Sequence, residues 1–492
     1  MTIKIKFVHF FAAALLFLAL PVACFIGGMV RLPLAIAGNI VILASLVIAT
    51  ERVKERKEEL EIPVAAIPVA ILSAVFFVYF GGVGEFSWTT ADHMYRSAIL
   101  TDLVKYRWPV IYRSGIYTGN NAAFIYYSAY WSIASVLGKI FGLTFARIFL
   151  VLQTCIGVLL IILGMSFCNK RFSYCSIVML IMFSGFDYIP LFIGDIFHLY
   201  DGSLEAWNVA LNIHSDMFQM QNVFNQSVPL WLITTLLADE RADKGSVGYL
   251  GALAFCYSPW AVFGMIPLAL LRLFEGKKIK SILTFENFAP PALVLLLFTS
   301  YFTLGNSYTN CFTFRKYDSF GMYLLSYLGF IVFEVGIWIV LLIDFRKKTS
   351  KALLISVVLP LLLLTIYSYG GMSNDLMLRG ATVPMFILTI LSADKLTGLF
   401  ATLRKERTVG LSGAGILFLY FISFITPIML ILASVVGSVN IYTTTGFDTN
   451  PDRFEIGSFG GLTPAKYEIY EDTIPVSYEY EDSFFFKYIA RK

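Results

Sequence analysis

The sequence predicts an all-α polytopic membrane protein, and three observations carry that reading. Of its 492 residues 58% are hydrophobic and only 14% are charged, whereas a water-facing domain carries about 25% charged residues. The mean hydropathy is +0.74. Apolar runs of about 18 to 25 residues recur along the chain, each long enough to cross a bilayer as a helix that satisfies its own backbone hydrogen bonds.

Charge and cysteine usage exclude other classes. The formal charge of +4 is small, and Lys and Arg sit mainly in short loops, where they orient a membrane protein. A lipid bilayer is therefore the expected surrounding, and no nucleic-acid partner is expected. The six cysteines show no CxxC or Cys/His spacing, so they read as small core hydrophobes rather than a disulfide framework or a zinc site. The run from Phe7 to Val30 is too long for a signal peptide and flows into a second apolar run, so it reads as a retained helix.

The elements follow in order. The first span, near 7–28, follows "MTIKIK"; the second, near 32–50, precedes "ERVKERKEELE". Basic loops stay cytoplasmic, which puts the N-terminus and this loop inside and makes residues 1–61 a two-helix unit. A third span near 62–82 then delivers the next loop to the outer side. Further basic anchors are "NKR", "DERADKG", "EGKKIK", "FRKKTSK" and "LRKER". Between Gly245 and Glu275 both flanks are basic, yet the apolar run holds Pro259 and is too short for two crossings, so a re-entrant pair of half-helices is expected. The aromatic stretch from Asn120 to Leu143, with Tyr126, Tyr127, Tyr130, Trp131 and Lys139, reads as an outer interfacial helix. About 11 crossings result, near 7–28, 32–50, 62–82, 144–168, 172–194, 226–238, 281–305, 321–345, 352–370, 381–398 and 409–437. Residues 62–437 form the core, with outer loops 83–143, 195–226 and 371–380. The Tyr-rich tail, 438–492, is expected outside the membrane with a few strands.

The polar clusters all fall in outer loops. "TTADHMYRSAILTDLVKYRWPV", residues 89–110, carries Asp92, His93, Arg96, Asp102, Lys105 and Arg107, with Arg113 just beyond. Basic residues are scarce in short outer loops, so Arg96, Lys105, Arg107 and Arg113 suit an anion such as a lipid-linked phosphate or pyrophosphate. "YGGMSNDLMLRGATVP" adds Asn374, Asp375 and Arg379 at the mouth of another span. Asp92 is the candidate general base, for sugar transfer from a phosphate leaving group needs a carboxylate to take the acceptor proton. On a helix Asp92 and Arg96 stand at i,i+4, so a plain ion pair remains the other reading of both. Asp102, ten residues on, lies roughly on the same face.

The loop from Asp187 to Gln226 carries Asp195, His198, Asp201, Glu205, His214 and Asp216. A metal set of His198, Asp201 and His214 is conceivable, though its spacing matches no strong template; no cofactor is expected, and a divalent metal stays open. His9, in the first span, reads as structural. Trp207, Asn212, Gln219, Gln221, Asn222, Asn225 and Gln226 suit sugar binding or a packed loop.

"DHMYRSAILTDLVKYRWPVIY", followed by "FIYYSAYWSIASVLGKIFG", resembles the first outer loop of bacterial GT-C superfamily membrane glycosyltransferases. The resemblance continues through "FSGFDYI", "FNQSVPLWL", "SPWAVFGMIPLAL" and "SNDLMLRGATVPMFIL", covering roughly residues 85–390. It implies a GT-C-like fold in a bacterial inner membrane, a polyprenyl-phosphate-linked sugar donor, a glycan or glycolipid acceptor, and inverting transfer on the outer face. The family's catalytic acid maps onto Asp92. Many members carry an acidic pair there; Asp92-His93 departs from it, which puts a metal in doubt. A polymerase or ligase using a pyrophosphate-linked glycan is the alternative enzyme. A flippase or transporter would show two similar halves around a mid-membrane site, which are not evident in this sequence.

Overall fold

The computed structural model describes residues 1–113, 121–197, 205–208, 210–275, 279–305, 310–343, 348–370, 374–406, 410–444, 456–462 and 474–492. Helices α1 (Phe7–Met29) and α2 (Leu32–Arg52) form an antiparallel pair. Pro33 opens α2, where a missing N–H breaks no helical bond. Short strands β1 (Thr2–Lys6) and β2 (Glu59–Pro63) pair antiparallel beneath them, Thr2 opposite Pro63. The chain continues through α3 (Ala66–Phe80), α4 (Asp92–Lys105), β3 (Ile111–Tyr112), β4 (Ala122–Phe124), α5 (Ser132–Phe141) and α6 (Leu143–Cys168). Next come α7 (Tyr174–Met182), α8 (Tyr188–Phe197), α9 (Asp216–Ala238), α10 (Val247–Tyr257), α11 (Ala261–Phe274), α12 (Phe285–Phe302) and β5 (Asn310–Phe312). Helix α13 (Phe320–Phe330) passes through a π turn, Ile331–Gly336, into α14 (Ile337–Leu342). The last elements are α15 (Lys348–Leu364), β6 (Tyr367–Tyr369), α16 (Asp375–Gly380), α17 (Thr382–Glu406), α18 (Leu411–Thr444) and β7 (Val476–Ser477).

Among the described residues six helical stretches are long and apolar enough to cross a membrane: Phe7–Met29, Leu32–Arg52, Leu143–Cys168, Phe320–Leu342, Asp375–Glu406 and Leu411–Thr443. About 11 were expected. The difference lies in breaks: the expected span 172–194 is divided at Phe183–Asp187 into α7 and α8, and α3 and α15 have 15 and 17 residues. Helix α9 differs for another reason. Every residue in it except Phe218 is buried, so protein rather than lipid surrounds it, and it keeps the amides that a lipid-facing helix excludes. Helices α2 and α18 are the reverse case, only 28% and 22% buried over their most apolar windows.

Basic loops gather at one end. Arg52 binds Asp243 at 2.8 Å and also Glu286, while Arg171 meets Asp394 at 3.0 Å. Arg272 donates to the carbonyls of Leu237 and Ala238, satisfying the C-terminal acceptors of α9. Helices α10 and α11, of 11 and 14 residues, are about 16 and 21 Å long, and the N-terminus of α10 and the C-terminus of α11 both lie at this end. The tip between them, Ser258 to Trp260, reaches toward the opposite end, where Trp260 packs on Tyr369 with ring centroids 4.4 Å apart. Gly264 permits the approach, since a Cβ there would collide with the Gly380 carbonyl.

The opposite end is closed by the tail. Strand β7 extends the β3–β4 ladder into a three-stranded sheet, with Phe124 opposite Val476. Ala490 bridges to Val30, and Arg31 donates to the carbonyls of Ala490 and Lys487. Among the described residues the tail holds one two-residue strand and short helical turns.

Candidate functional site

Helix α4 begins at Asp92 and thereby presents Asp92 and Arg96 one turn apart on one side, Asp92 half exposed and Arg96 buried. Arg96 is held from three directions. Its Nε donates to the Asn222 carbonyl at 3.1 Å, its Nη1 to the Tyr126 hydroxyl at 2.9 Å, and its Nη2 stands 3.9 Å from Asp92 Oδ2. The Asn222 carbonyl reaches Arg96 at a kink in α9, where Val223 leaves helical geometry with φ −142° and ψ 31°. Arg96 also lies 5.7 Å from the centroid of the Tyr126 ring. Asp92 remains 48% exposed, so its carboxylate opens to an incoming molecule.

Arg379 arrives from α16, far away in sequence. Asn374 accepts from the Met377 N–H and starts that helix, and Arg379 Nη2 then stands 3.6 Å from Asp375 Oδ1. Its guanidinium also interacts electrostatically with Tyr126, Tyr127 and Asp92. The side chain is 14% exposed, and its Nε has no hydrogen-bond acceptor among the described residues. Tyr126 and Tyr127 stack at 4.0 Å between the two arginines. The fold thus brings Asp92, Arg96, Asp375 and Arg379 together from two separate loops.

His214 completes one wall. It packs on Phe218 at 4.1 Å, and burial, with Arg379 adding to it, pushes its imidazole down to about 3. The ring is neutral at physiological pH. His198 and Asp201 lie outside the described residues, and Asp195 lies on α8. No group of three His, Cys, Asp or Glu side chains among the described residues has an arrangement that would hold a metal.

Other candidates lie elsewhere. His93 points inward, 2% exposed, stacked on Phe224 at 5.9 Å. Burial, followed by the charge of Arg96, lowers it to about 4. Asp102 is 1% exposed and accepts from Tyr112 Oη at 2.8 Å, from the Phe459 N–H at 2.9 Å and from the Ser458 hydroxyl. Its carboxylate is occupied by the tail and is not open to an anion or acceptor. Burial raises it to about 6. Lys105 and Arg107 are exposed at the far end of α4, Lys105 lying 5.5 Å from the Tyr106 ring centroid; Arg113 is exposed beyond β3. The amides of α9 are mostly packing groups: Gln221 binds Ser434, Gln219 accepts from Ser227, and Asn222 accepts from Thr90. Gln226 differs, joining Tyr127 to Ser258 at the hairpin tip.

Sequence reasoning placed Tyr126 and Tyr127 at the headgroup level rather than in the site, and it passed over Lys316, whose ammonium interacts with Asp375. The signal for Lys316 was present in "FTFRKYD", a basic loop on the expected outer side, the same anomaly that marks Arg96. Comparison with family models, with curated proteins and with solved structures finds no match to this chain.

Proposed function

We propose that this chain is an outer-face membrane glycosyltransferase that moves a sugar from a polyprenyl-phosphate-linked donor to a cell-envelope glycan or glycolipid with inversion. One observation carries the reading: two guanidinium groups, Arg96 and Arg379, gather with a half-exposed carboxylate, Asp92, around a tyrosine pair. In this scheme the acceptor hydroxyl attacks the anomeric carbon as the bond from that carbon to the phosphate oxygen breaks. The bond electrons leave with the phosphate, where Arg96 and Arg379 stabilise the charge, and the hydroxyl proton passes to Asp92. A neutral His214 beside Arg379 leaves the positive charge on the arginines. The reading places the chain in a bacterial inner membrane with about 11 crossings, α10 and α11 as a re-entrant pair, the N-terminus cytoplasmic and the C-terminus outside.

The 3.9 Å contact of Asp92 with Arg96 favours a second reading, in which Asp92 only orients the arginine. The enzyme would then be a polymerase or ligase acting on a pyrophosphate-linked glycan. A flippase or transporter is the least supported reading. Purified full-length protein with polyprenyl-phosphate-linked sugar and acceptor tests the choice. Asp92→Asn should retain donor binding while transfer falls at least about a hundredfold. Arg379→Gln should weaken donor binding about tenfold or more. Undiminished transfer by Asp92→Asn removes Asp92 as base, and unchanged donor affinity in Arg379→Gln removes the phosphate clamp.

A further inference from the structure

Behind the arginine site lies a second polar cluster in which no cation figures among the described residues. Asp187 sits in the break between α7 and α8, Glu334 in the π turn between α13 and α14, Glu205 in the segment before α9, and Asp216 at the start of α9. All four are buried, Asp187 and Asp216 at 1% and Glu205 and Glu334 at 0%. No lysine, arginine or histidine figures among the leading charge interactions of any of them. Carboxylates buried at membrane depth without a counter-charge are costly and default to a functional role.

The geometry of one pair is specific. Asp187 Oδ2 accepts from the Ser184 hydroxyl at 2.8 Å, and Glu334 Oε1 accepts from the Trp207 indole N–H at 2.6 Å. Among the described residues the remaining oxygens, Asp187 Oδ1 and Glu334 Oε2, have no hydrogen-bond donor. They occupy one space beside Gly185, where a Cβ would strike Glu334 Oε2 and lie 3.5 Å from Asp187 Oδ1, and the two carboxyls meet side chain to side chain. Two acceptor-only oxygens facing each other in a closed space need a hydrogen between them. The π turn supplies the local widening that sets Glu334 there, the kind of helical irregularity found at functional sites.

We propose that Asp187 and Glu334 form a proton-binding site, one proton shared between their facing oxygens, and that its occupancy holds the segment leading into the arginine site. The linkage runs through Trp207. Its indole is fixed by Glu334, and its neighbour Asn208 donates to the Ser326 carbonyl on α13. Glu205 accepts from the Ser215 N–H at 2.7 Å and from the Ser215 hydroxyl, and Ser215 caps α9 directly after His214. The groups that face the pair are Glu205 from this segment, with Asp216 of α9 behind it, and the Thr426 hydroxyl of α18. When the proton leaves to solvent, two negative oxygens remain in contact, and Glu205 adds to the repulsion. The segment carrying Trp207 and His214 then loosens. This proposal stands whatever reaction the arginine site performs.

Infrared spectroscopy of the full-length protein in lipid nanodiscs tests it through the carbonyl stretch of protonated carboxylic acids. At pH 7 the wild type should show such absorption, and Asp187→Asn and Glu334→Gln should each remove the same intensity, equal to one carboxyl. The double variant should remove no more than either single one. Amides supply the missing hydrogen in all three, so folding is retained. Unchanged absorption in both single variants overturns the proposal, and so does a double variant that loses twice as much, which means two independent acids. Hydrogen exchange of the wild type supplies a readout without substitution: corrected for intrinsic rate, amides of residues 210–215 should exchange faster as pH rises and the absorption fades. Exchange that stays constant while the absorption fades overturns the link to the segment.

Discussion

Asp92 and His93 are chain neighbours in opposite settings. One helical position turns Asp92 toward the arginines and His93 into the core against Phe224. The inward histidine has a thermodynamic signature. Its native value of about 4 lies below the ordinary 6.5, so between those values the unfolded chain binds the proton and the folded one does not. Stability from His93 is complete above about pH 6.5 and is lost as pH falls toward 4, amounting to about 3 kcal/mol. His214 acts with the same sign over a wider window, from 6.5 to about 3. Asp102 has the opposite sign, because its native value of about 6 lies above 3.8, and its contribution falls as pH rises between them. Thermal melts of the purified protein should lose stability between pH 6.5 and 4, and His93→Gln should flatten that loss. An unchanged slope in the variant would mean that His93 is already protonated in the fold. Arg96 is a second residue-scale case. Lysine cannot reproduce its simultaneous reach to Asn222, Tyr126 and Asp92, so Arg96→Lys should weaken anion binding about tenfold, read by titration calorimetry.

Helix α6 is anchored at its site end by a buried ion pair. Arg147 and Glu85 approach to 2.6 Å with side chains 2% and 6% exposed. Glu85 holds φ 66°, a left-handed conformation unusual for a side-chain-bearing residue, in the turn that joins α3 to α4. The pair therefore fixes the turn against α6 and so sets where α4 begins. Arg147→Met alone should destabilise by about 3 to 5 kcal/mol, because it leaves Glu85 charged and buried. Adding Glu85→Gln should recover a large part of that loss, as a double-mutant cycle in denaturant would measure. "FGGVGEFSW" displays the acid in sequence, yet nothing local announces its partner, 62 positions on, since one end of α6 and one turn meet only after folding. The expected broken run between Gly245 and Glu275 was legible, because Pro259 and its length appear in the sequence itself.

The whole molecule is clasped by its tail. Asp102 and Ser458 lie 356 positions apart and are hydrogen-bonded, β7 lies along β4, and Ala490 returns to Val30 at the α1–α2 junction. Strand β4 runs directly into Tyr126 and Tyr127, so the tail braces the tyrosine pair of the candidate site. Asp102→Ala removes the acceptor of three donors, two of them in the tail, and should destabilise by about 3 kcal/mol or more. Hydrogen exchange in residues 456–462 and 474–490 should accelerate more than in α9. Equal acceleration in α9 would show that the clasp is not local.

The sequence by itself determined the solvent: long apolar runs and sparse charge specify helices in a bilayer, because each residue's transfer cost is local and additive. It also marked Asp92, Arg96, Asp375 and Arg379 as charges out of place. Only the tertiary structure decided which of them meet. Asp102, one helix face from Asp92, went to the tail, while Arg379, 287 positions from Asp92, came to its side. Glu334 gave no clear signal in an apolar stretch until the fold set it against Asp187. Pairing of charges is a property of distance in space, and in a bundle of this size distance along the chain says little about it.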